Sequence, residues 1–151
     1  MFNIRLANEN DIIKVFELSN DDVVRTNSIK KNKIEWEDHI NWFNNRIKKV
    51  EEPFYIIENE KEDFIAQVRF NKENEGFVIS ISIQKDFRGK GLASKIIAET
   101  CKKIIDLYSL PVIALIKPKN TASKKSFLKA GFLKIQDIKI NNEYYEKYIL
   151  N

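Results

Sequence analysis

The 151-residue sequence is poor in the residue types that build metal sites and cross-links. It has one cysteine, Cys101, and one histidine, His39. One thiol forms no internal disulfide, and one cysteine with one histidine does not make a Cys/His zinc site. We therefore expect no metal cofactor and a core without covalent cross-links, which a chain of this length can build.

Long apolar runs and a leader-like segment are also missing. An apolar stretch such as residues 111–116 is far below the roughly 18 residues that span a bilayer. The chain begins Met-Phe-Asn-Ile-Arg, without the apolar core of a signal peptide. These features predict a cytoplasmic protein that binds no membrane.

The charge balance is mildly positive. The 26 lysines and arginines against 22 acidic residues give a net charge of +4, and both signs are interspersed. Lysine is denser over residues 117–129, and such a cluster attracts phosphate. The sequence has no helix-turn-helix signature, aromatic RNA-binding motif or long basic arm. We expect a small phosphorylated ligand and no nucleic acid.

Hydrophobic spacing predicts one α/β domain over residues 1–151. A short strand precedes two helices, and three strands between residues 54 and 83 form an antiparallel meander. A long amphipathic helix, a buried strand, a shorter helix ending at Gly131 and a hairpin around Asn141-Asn142 follow. The predicted order is β-α-α-β-β-β-α-β-α-β-β in a mixed, mostly antiparallel sheet. The apolar face of the second helix is predicted to contain Trp36, Ile40, Phe43 and Ile47.

Glycine is scarce, so the position of each of the four glycines is informative. Gly89 and Gly91 lie in Arg88-Gly-Lys-Gly-Leu-Ala93, which follows a predicted strand and opens the longest predicted helix. Glycines let backbone N–H groups converge on an anion, and a helix N-terminus adds unpaired donors. The spacing fits neither G-x-x-x-x-G-K-[ST] nor G-x-G-x-x-G. The segment is either a phosphate-binding loop or a plain turn.

The same segment resembles the pyrophosphate-binding pattern [QR]-x-x-G-x-[GA] of the GNAT N-acetyltransferases. Asn120-Thr-Ala-Ser123 and Gly131-Phe132 resemble a second block of that family, and the predicted element order is the family order. The resemblance implies an acetyl-CoA-dependent N-acetyltransferase whose sheet splays between strands 4 and 5. In such an enzyme the acceptor amine attacks the thioester directly, without an acyl-enzyme.

The resemblance also implies which residues bind acetyl-CoA. Backbone groups of Ile81 and Ile83 would bind the pantetheine arm, and N–H groups from Gly89 to Ala93 would hold the pyrophosphate. The full implied set is Ile81, Ser82, Ile83, Arg88, Gly89, Lys90, Gly91, Leu92, Ala93, Ser94, Asn120, Ser123 and Phe127. The candidates for contact with the 3′-phosphate are Lys117, Lys119, Lys124 and Lys125.

The catalytic acid and base stay open on the sequence. Many relatives have a tyrosine seven residues after the asparagine, where this chain has Phe127, and the fourth strand contains no internal glutamate. Cys101 lies among isoleucines of an amphipathic helix, which favours a buried structural thiol over a nucleophile. The remaining candidates for the catalytic groups are Ser82, Glu75, His39 and Tyr145.

The N-terminal half resembles a GNAT subgroup that acetylates nucleotide-linked 4-amino sugars in pseudaminic-acid-type pathways. The resemblance lies in five short segments: Leu18-Ser-Asn-Asp21, Val24-Arg25, Asn27-Ser28, Glu37 to Phe43, and Gln67-Val-Arg69-Phe70. It implies that the acceptor is a UDP-linked amino sugar, with guanidinium groups at the nucleotide phosphate and an aromatic ring stacked on the base or sugar. The implied contact residues are Arg25, His39, Trp42, Gln67 and Arg69.

Other functions and two assembly states stay open. A protein N-terminal or lysine acetyltransferase of the ribosomal-protein type would suit the acidic residues Glu35, Glu37 and Asp38. A non-catalytic CoA-binding regulatory module would suit Phe127 at the family's tyrosine position. The chain is expected to act as a monomer or a homodimer.

Overall fold

The computed structural model describes residues 1–151 as a mixed α/β fold with seven strands and five α-helices. Short 3-10 turns at Glu9–Asp11 and Lys85–Phe87 precede α1 and α4. No helix combines the length and apolarity needed to cross a bilayer. The elements in chain order are β1 (Phe2–Leu6), α1 (Ile12–Ser19), α2 (Asp22–Asn27), α3 (Trp36–Arg46), β2 (Phe54–Asn59), β3 (Phe64–Glu73), β4 (Gly76–Ile83), α4 (Leu92–Tyr108), β5 (Val112–Ile116), α5 (Thr121–Lys129), β6 (Leu133–Ile140) and β7 (Glu143–Leu150).

The seven strands are hydrogen-bonded in the order β1-β2-β3-β4-β5-β7-β6. The pairs β1–β2, β2–β3, β5–β7 and β6–β7 are antiparallel, whereas β4 and β5 are parallel. This confirms the predicted mixed, mostly antiparallel sheet. The parallel register joins Phe77 to Val112 and Val78 to Ile113, at the beginning of both strands.

The chain comprises two compact units. The first contains Met1–Arg69 with Ile81–Phe87, and the second contains Phe70–Ser80 with Arg88–Asn151. In the first unit a buried apolar cluster joins α1, α3 and β2, because the inward faces of both helices pack on the strand. The cluster consists of Val15, Phe43, Phe54 and Ile56.

The core of the second unit is built around α4 and β5. The apolar side of α4 is buried, and it includes Cys101, whose thiol pKa is raised by burial. This confirms the predicted structural cysteine, since a protonated buried thiol is unreactive. Phe77 contacts Tyr108 with ring centroids 4.9 Å apart, and Phe127 packs edge-on against Phe132 at 5.0 Å.

Three helices precede β2, whereas the sequence predicted two. The additional helix is α2. The first helix ends at Ser19, and Asp21 then begins the new helix as its N-cap. Its carboxylate accepts hydrogen bonds from the N–H groups of Val23 and Val24 at 3.0 and 3.2 Å. A helix of six residues is too short to produce a recognisable apolar spacing.

The buried face of α3 also differs from the predicted one. His39, Phe43 and Arg46 are buried, whereas Trp36 is 40% exposed. Burial of the two polar side chains is possible because each donates to a backbone carbonyl, His39 to Ile12 and Arg46 to Glu52. Trp36 lies at the edge of the packed face, with its ring centroid 5.0 Å from that of Phe16.

The predicted hairpin turn between β6 and β7 is confirmed. Asn141 and Asn142 have φ values of 51° and 64°, the left-handed conformation that two-residue hairpin turns require. Gly131 follows α5 with a φ of 103°, as predicted for a glycine at a helix end.

Gly76 is constrained by a close backbone approach at the start of β4. Its φ is 149°, and a Cβ placed on it would lie 2.3 Å from the carbonyl oxygen of Pro111. The same oxygen accepts a hydrogen bond from the N–H of Phe77 at 3.0 Å. A side chain at residue 76 would therefore push the start of β4 away from Pro111, next to the point where the parallel pairing of β4 and β5 begins.

We expect Gly76→Ala to lower the free energy of unfolding by about 2 kcal/mol or more, because it adds a steric clash to an unfavourable φ. Gly131→Ala is the matched control, since its φ is also positive but its nearest side-chain neighbour lies 3.5 Å away. That control should lose about 1 kcal/mol, from backbone strain. Urea denaturation measures both, and equal losses would contradict the close-approach argument.

Candidate active site

The loop between β4 and α4 is held in an unusual conformation by two glycines. Gly89 and Gly91 both have a φ of 74°, which side chains other than glycine adopt only with strain. A Cβ at either residue would meet no atom within 4 Å. The two glycines thus combine a left-handed backbone with open space beside it, which suits the close approach of a ligand to the loop.

The loop leads directly into the N-terminus of α4. Gly91 is the N-cap of this 17-residue helix, and a glycine supplies no side-chain cap for the first N–H groups. The buried Ser94 instead donates its hydroxyl toward the carbonyl of Gly91 at 3.5 Å. Because uncapped N–H groups and the helix dipole favour a negative charge, and Arg88 and Lys90 flank the loop, this end of α4 can hold a phosphate.

The second sequence block begins α5. Asn120 is the N-cap of this helix, and its side-chain oxygen accepts a hydrogen bond from the N–H of Ser123 at 3.2 Å. The structure therefore brings these two predicted cofactor residues together. Phe127, also predicted to contact the cofactor, is buried and packs edge-on against Phe132.

Two of the predicted 3′-phosphate lysines have acidic neighbours in the second unit. Lys117 lies 3.7 Å from Glu143, and Lys124 lies 3.3 Å from Glu146. Lys119 and Lys125 are exposed. Because Lys117 and Lys124 are engaged in ion pairs, the exposed pair is better placed to meet a phosphate from solvent.

The predicted acid and base candidates in the second unit have different environments. Glu75 is exposed and accepts a hydrogen bond from Lys147 at 2.6 Å. Tyr145 is buried, with its hydroxyl 3.5 Å from Glu143. Burial and the charge of Glu143 raise the pKa of Tyr145, which keeps the phenol protonated, the form that a general acid needs.

His39 lies in an aromatic cluster of the first unit. Its ring centroid is 5.1 Å from that of Phe16 and 5.8 Å from those of Trp36 and Trp42. The Nε2–H donates to the carbonyl of Ile12 at 2.8 Å. Burial lowers the pKa of His39, so the imidazole is neutral and its Nε2 proton is already engaged.

Trp42, Arg69 and Gln67 form a connected polar and aromatic group beside that cluster. The guanidinium carbon of Arg69 lies 4.9 Å from the ring centroid of Trp42, within cation–π range. Arg69 also donates to the side-chain oxygen of Gln67 at 3.4 Å, and Gln67 donates to the hydroxyl of Ser19 at 3.1 Å. Four of the five predicted acceptor residues, His39, Trp42, Gln67 and Arg69, therefore lie in one group.

The fifth predicted acceptor residue, Arg25, has a clear structural role. Its guanidinium donates to the carbonyls of Ser19, Lys30 and Asn32 at 2.7, 2.9 and 3.3 Å, and to the hydroxyl of Ser28 at 3.1 Å. These bonds tie the segment before α3 to the end of α1. Through Ser19, Arg25 is linked to Gln67 and to the group that contains Arg69.

Two further residues, Asn20 and Arg46, hold this region together, and the sequence did not predict their roles. Asn20 holds the same segment by accepting from the N–H of Ile34 at 2.7 Å and donating to its carbonyl at 3.0 Å. Arg46 is buried with its guanidinium carbon 5.6 Å from the ring centroid of Phe54. The spacing of His39, Phe43 and Arg46 on one helix face was the signal available for Arg46.

No group of three or more histidine, cysteine, aspartate or glutamate side chains is arranged to hold a metal ion.

The family of the chain follows from comparison with known proteins. The model of the acetyltransferase (GNAT) domain matches residues 2–133, and the chain belongs to that family. A curated relative from Bacillus subtilis (strain 168), named "Putative phosphinothricin acetyltransferase YwnH", is 28% identical over 139 residues, which cover 85% of this chain and 82% of the relative. The chain is an acyltransferase of the GNAT type, with acetyl-CoA as the acetyl donor.

Solved structures show the same fold. A spermidine N-acetyltransferase from Vibrio cholerae, in complex with CoA and spermine, is similar with a TM-score of 0.84 and 16% identity, over 98% of this chain and 92% of that chain. The aminoglycoside acetyltransferase AAC(6')-Ib, in complex with coenzyme A, is similar with a TM-score of 0.83 and 13% identity, over 99% and 94% of the two chains. The predicted GNAT fold is confirmed.

Replacing His39 by glutamine should flatten the pH dependence of stability in the mildly acidic range. Folding lowers the pKa of His39 below its ordinary value of 6.5, so the unfolded chain binds more protons near and below that pH. The free energy of unfolding of the wild type should therefore fall as the pH drops from about 7.5 to about 5.5.

Urea denaturation of both proteins at the two pH values measures this effect. His39→Gln should lose less stability between them than the wild type does, whatever its stability at the higher pH. Parallel losses in the two proteins would show that His39 is not held neutral by the fold.

Proposed function

We propose that this acetyltransferase transfers the acetyl group of acetyl-CoA to the 4-amino group of a UDP-linked amino sugar. The proposed donor site rests on one observation: Gly89 and Gly91 have left-handed backbone conformations and lead directly into the N-terminus of α4, which has no side-chain cap. The proposed acceptor is supported by the contacts among Trp42, Gln67 and Arg69. The whole of residues 1–151 is proposed as one acetyltransferase domain, and the family match over residues 2–133 supports this.

The donor would be bound by backbone groups and by charge. N–H groups of Gly89 to Ala93 would hold the pyrophosphate, with Arg88 and Lys90 adding positive charge. Ile81 and Ile83 would offer backbone groups to the pantetheine arm, with Ser82 between them. Asn120 and Ser123 begin α5 as a hydrogen-bonded pair, and we propose that both contact the donor, with Asn120 near the pantetheine.

Acetyl-CoA supplies an activated thioester, so the protein's task is to bring a neutral amine to its carbonyl carbon. The amine attacks, the C–N bond forms, the C–S bond breaks, and the thiolate leaves with one proton. A backbone N–H would stabilise the negative charge that develops on the carbonyl oxygen. A group that removes the amine proton would add roughly 10²- to 10⁴-fold in rate.

The candidates for the proton transfers are not equivalent. Tyr145 is the better acid, because burial keeps its phenol protonated. His39 is held neutral in an aromatic cluster with its Nε2 proton donated to Ile12, which favours a packing role over that of a base. Ser82 lies near the end of β4, where its hydroxyl would hold a water that accepts the amine proton.

The acceptor assignment rests on ring stacking and polar contacts in the first unit. Trp42 is 38% exposed, so one part of its ring is available to stack on a sugar or a base. Gln67 and Arg69 supply an amide and a guanidinium next to it. Nucleotide sugars are intracellular metabolites, as is acetyl-CoA, and we propose that the enzyme acts in the cytoplasm as a monomer or a homodimer.

A protein N-terminus or lysine is the second candidate acceptor. The acidic residues that favour it, Glu35, Glu37 and Asp38, are exposed around the start of α3. Exposed acidic side chains would attract a basic peptide from solvent. The amino sugar is the better candidate, because Trp42, Gln67 and Arg69 offer it an aromatic ring and polar groups in one place.

Gly91→Ala should weaken CoA binding by about tenfold or more, because the new methyl group occupies the open space beside the loop and strains its left-handed backbone. Gly131→Ala is the matched control, since it also has a positive φ but lies after α5. Isothermal titration calorimetry with CoA measures both variants. Equal weakening in the two, or none in Gly91→Ala, would contradict the proposed pyrophosphate site.

The acceptor is tested by thiol release from acetyl-CoA in the presence of a UDP-4-amino sugar, a peptide with a free N-terminus, or spermidine. We expect turnover with the UDP-amino sugar, with the acetyl group on its 4-amino nitrogen by mass spectrometry and NMR. Turnover with the peptide alone would replace the proposed acceptor by a protein amine. Tight CoA binding without turnover on the UDP-amino sugar would also reject the acceptor assignment.

A further inference from the structure

The strand β6 is an open edge of the sheet. It is the last strand in the order β1-β2-β3-β4-β5-β7-β6, so it pairs with β7 on one side and has no strand on the other. It is eight residues long and contains no proline, and residues 133–137 are all exposed. An edge of this kind presents a row of backbone N–H and C=O groups with which another strand can pair.

The regular part of this edge is the segment 136–140. The pairing of β6 with β7 shifts in register between Lys134 and Gln136, and from Gln136 to Ile140 each residue then pairs with one residue of β7. Such a bulge bends its strand and interrupts regular pairing. A further strand would therefore pair most regularly with residues 136–140, whose midpoint is Ile138.

The two charged residues of this segment have opposite signs and lie on either side of its midpoint. Side chains two residues apart in a strand point to the same face of the sheet, so Asp137 and Lys139 share a face. Both are exposed, whereas Ile138 between them is half-buried. Lys139 also lies over the ring of Tyr144 on β7, 5.4 Å from its centroid, which supports its side chain on that face.

We propose that β6 pairs antiparallel with β6 of a second copy of this chain, about a two-fold axis at Ile138, so that the protein is a homodimer. Asp137 of each copy then lies opposite the partner's Lys139. The charge pair occurs twice, because every contact of a two-fold interface is repeated. Opposite charges directly across antiparallel strands stabilise their pairing. This narrows the two assembly states proposed above to one.

Charge alone also permits a second register. Lys134 and Asp137 pair with residues two apart in β7 and so lie on one face, with their charged groups 3.0 Å apart. An axis at Gln136 would set Lys134 against the partner's Asp137, but it would place the bulge at the axis, where backbone pairing is interrupted. The axis at Ile138 keeps both regular pairing and opposite charges.

The test reverses one charge at a time and then mixes the two variants. Asp137→Lys leaves lysines on both sides of the axis, and Lys139→Asp leaves aspartates on both sides. Each variant alone sets like charges against each other and should dimerise about 10- to 100-fold more weakly than the wild type. An equimolar mixture sets lysines against aspartates, so a mixed dimer should form where neither variant dimerises alone. Sedimentation velocity over a range of concentrations measures all of these.

Lys102→Asp and Asp106→Lys make the same two charge changes on an exposed part of α4 and are the matched controls. Both should dimerise as the wild type does, alone and mixed. A wild type that stays monomeric would overturn the proposal and leave the edge to a strand of another protein. Unchanged dimers in both β6 variants, or a mixture that does not recover association, would overturn it as well.

The double variant Asp137→Lys/Lys139→Asp separates the two registers. With the axis at Ile138 it exchanges the two signs and should dimerise close to the wild-type strength. With the axis at Gln136 it would set Lys134 against an introduced lysine, so a double variant that stays dissociated would overturn the axis at Ile138. These measurements use no acetyl transfer, so a failure of the proposed acceptor or donor site leaves their result unaffected.

Discussion

The backbone conformation of the loop between β4 and α4 is the constraint on which the proposed donor site depends. Two glycines with a φ of 74° turn the chain into a 17-residue helix without a side-chain cap. A capping serine or aspartate would have stabilised that helix by roughly 1 kcal/mol, and the sequence forgoes this stabilisation. The N–H groups at this end of α4 and the helix dipole then favour an anion from outside the chain.

The first unit shows a second departure from what stability alone would favour. It buries or half-buries a histidine, two arginines and a glutamine: His39 and Arg46 donate to backbone carbonyls, and Arg69 and Gln67 bond to each other through their side chains. Replacing polar residues at such positions by apolar ones is often neutral or stabilising in a core. The aromatic rings of Trp42 and Phe54 hold the guanidinium groups in place.

The sequence predicted the order of the main elements because their signals are local. Alternation marked the strands, the apolar spacing marked α4, and Asn141-Asn142 marked the hairpin. The short helix α2 and the buried face of α3 escaped prediction, since they depend on particular hydrogen bonds of Asp21, His39 and Arg46. The glycine loop was visible as a motif. Arg25 and Arg69 were also singled out from the sequence, whereas Arg46 was not, because its burial and its contact with Phe54 arise only in the folded chain.

Amide chemical shifts during a titration with CoA test the central claim most directly. The ¹H–¹⁵N spectrum of the protein should show its largest saturable changes at the backbone N–H groups of Gly89 to Ser94. Dephospho-CoA should produce the same changes in the loop, because it retains the pyrophosphate. If CoA binds but those amides do not shift, the pyrophosphate is held elsewhere, and the account of the donor site is wrong.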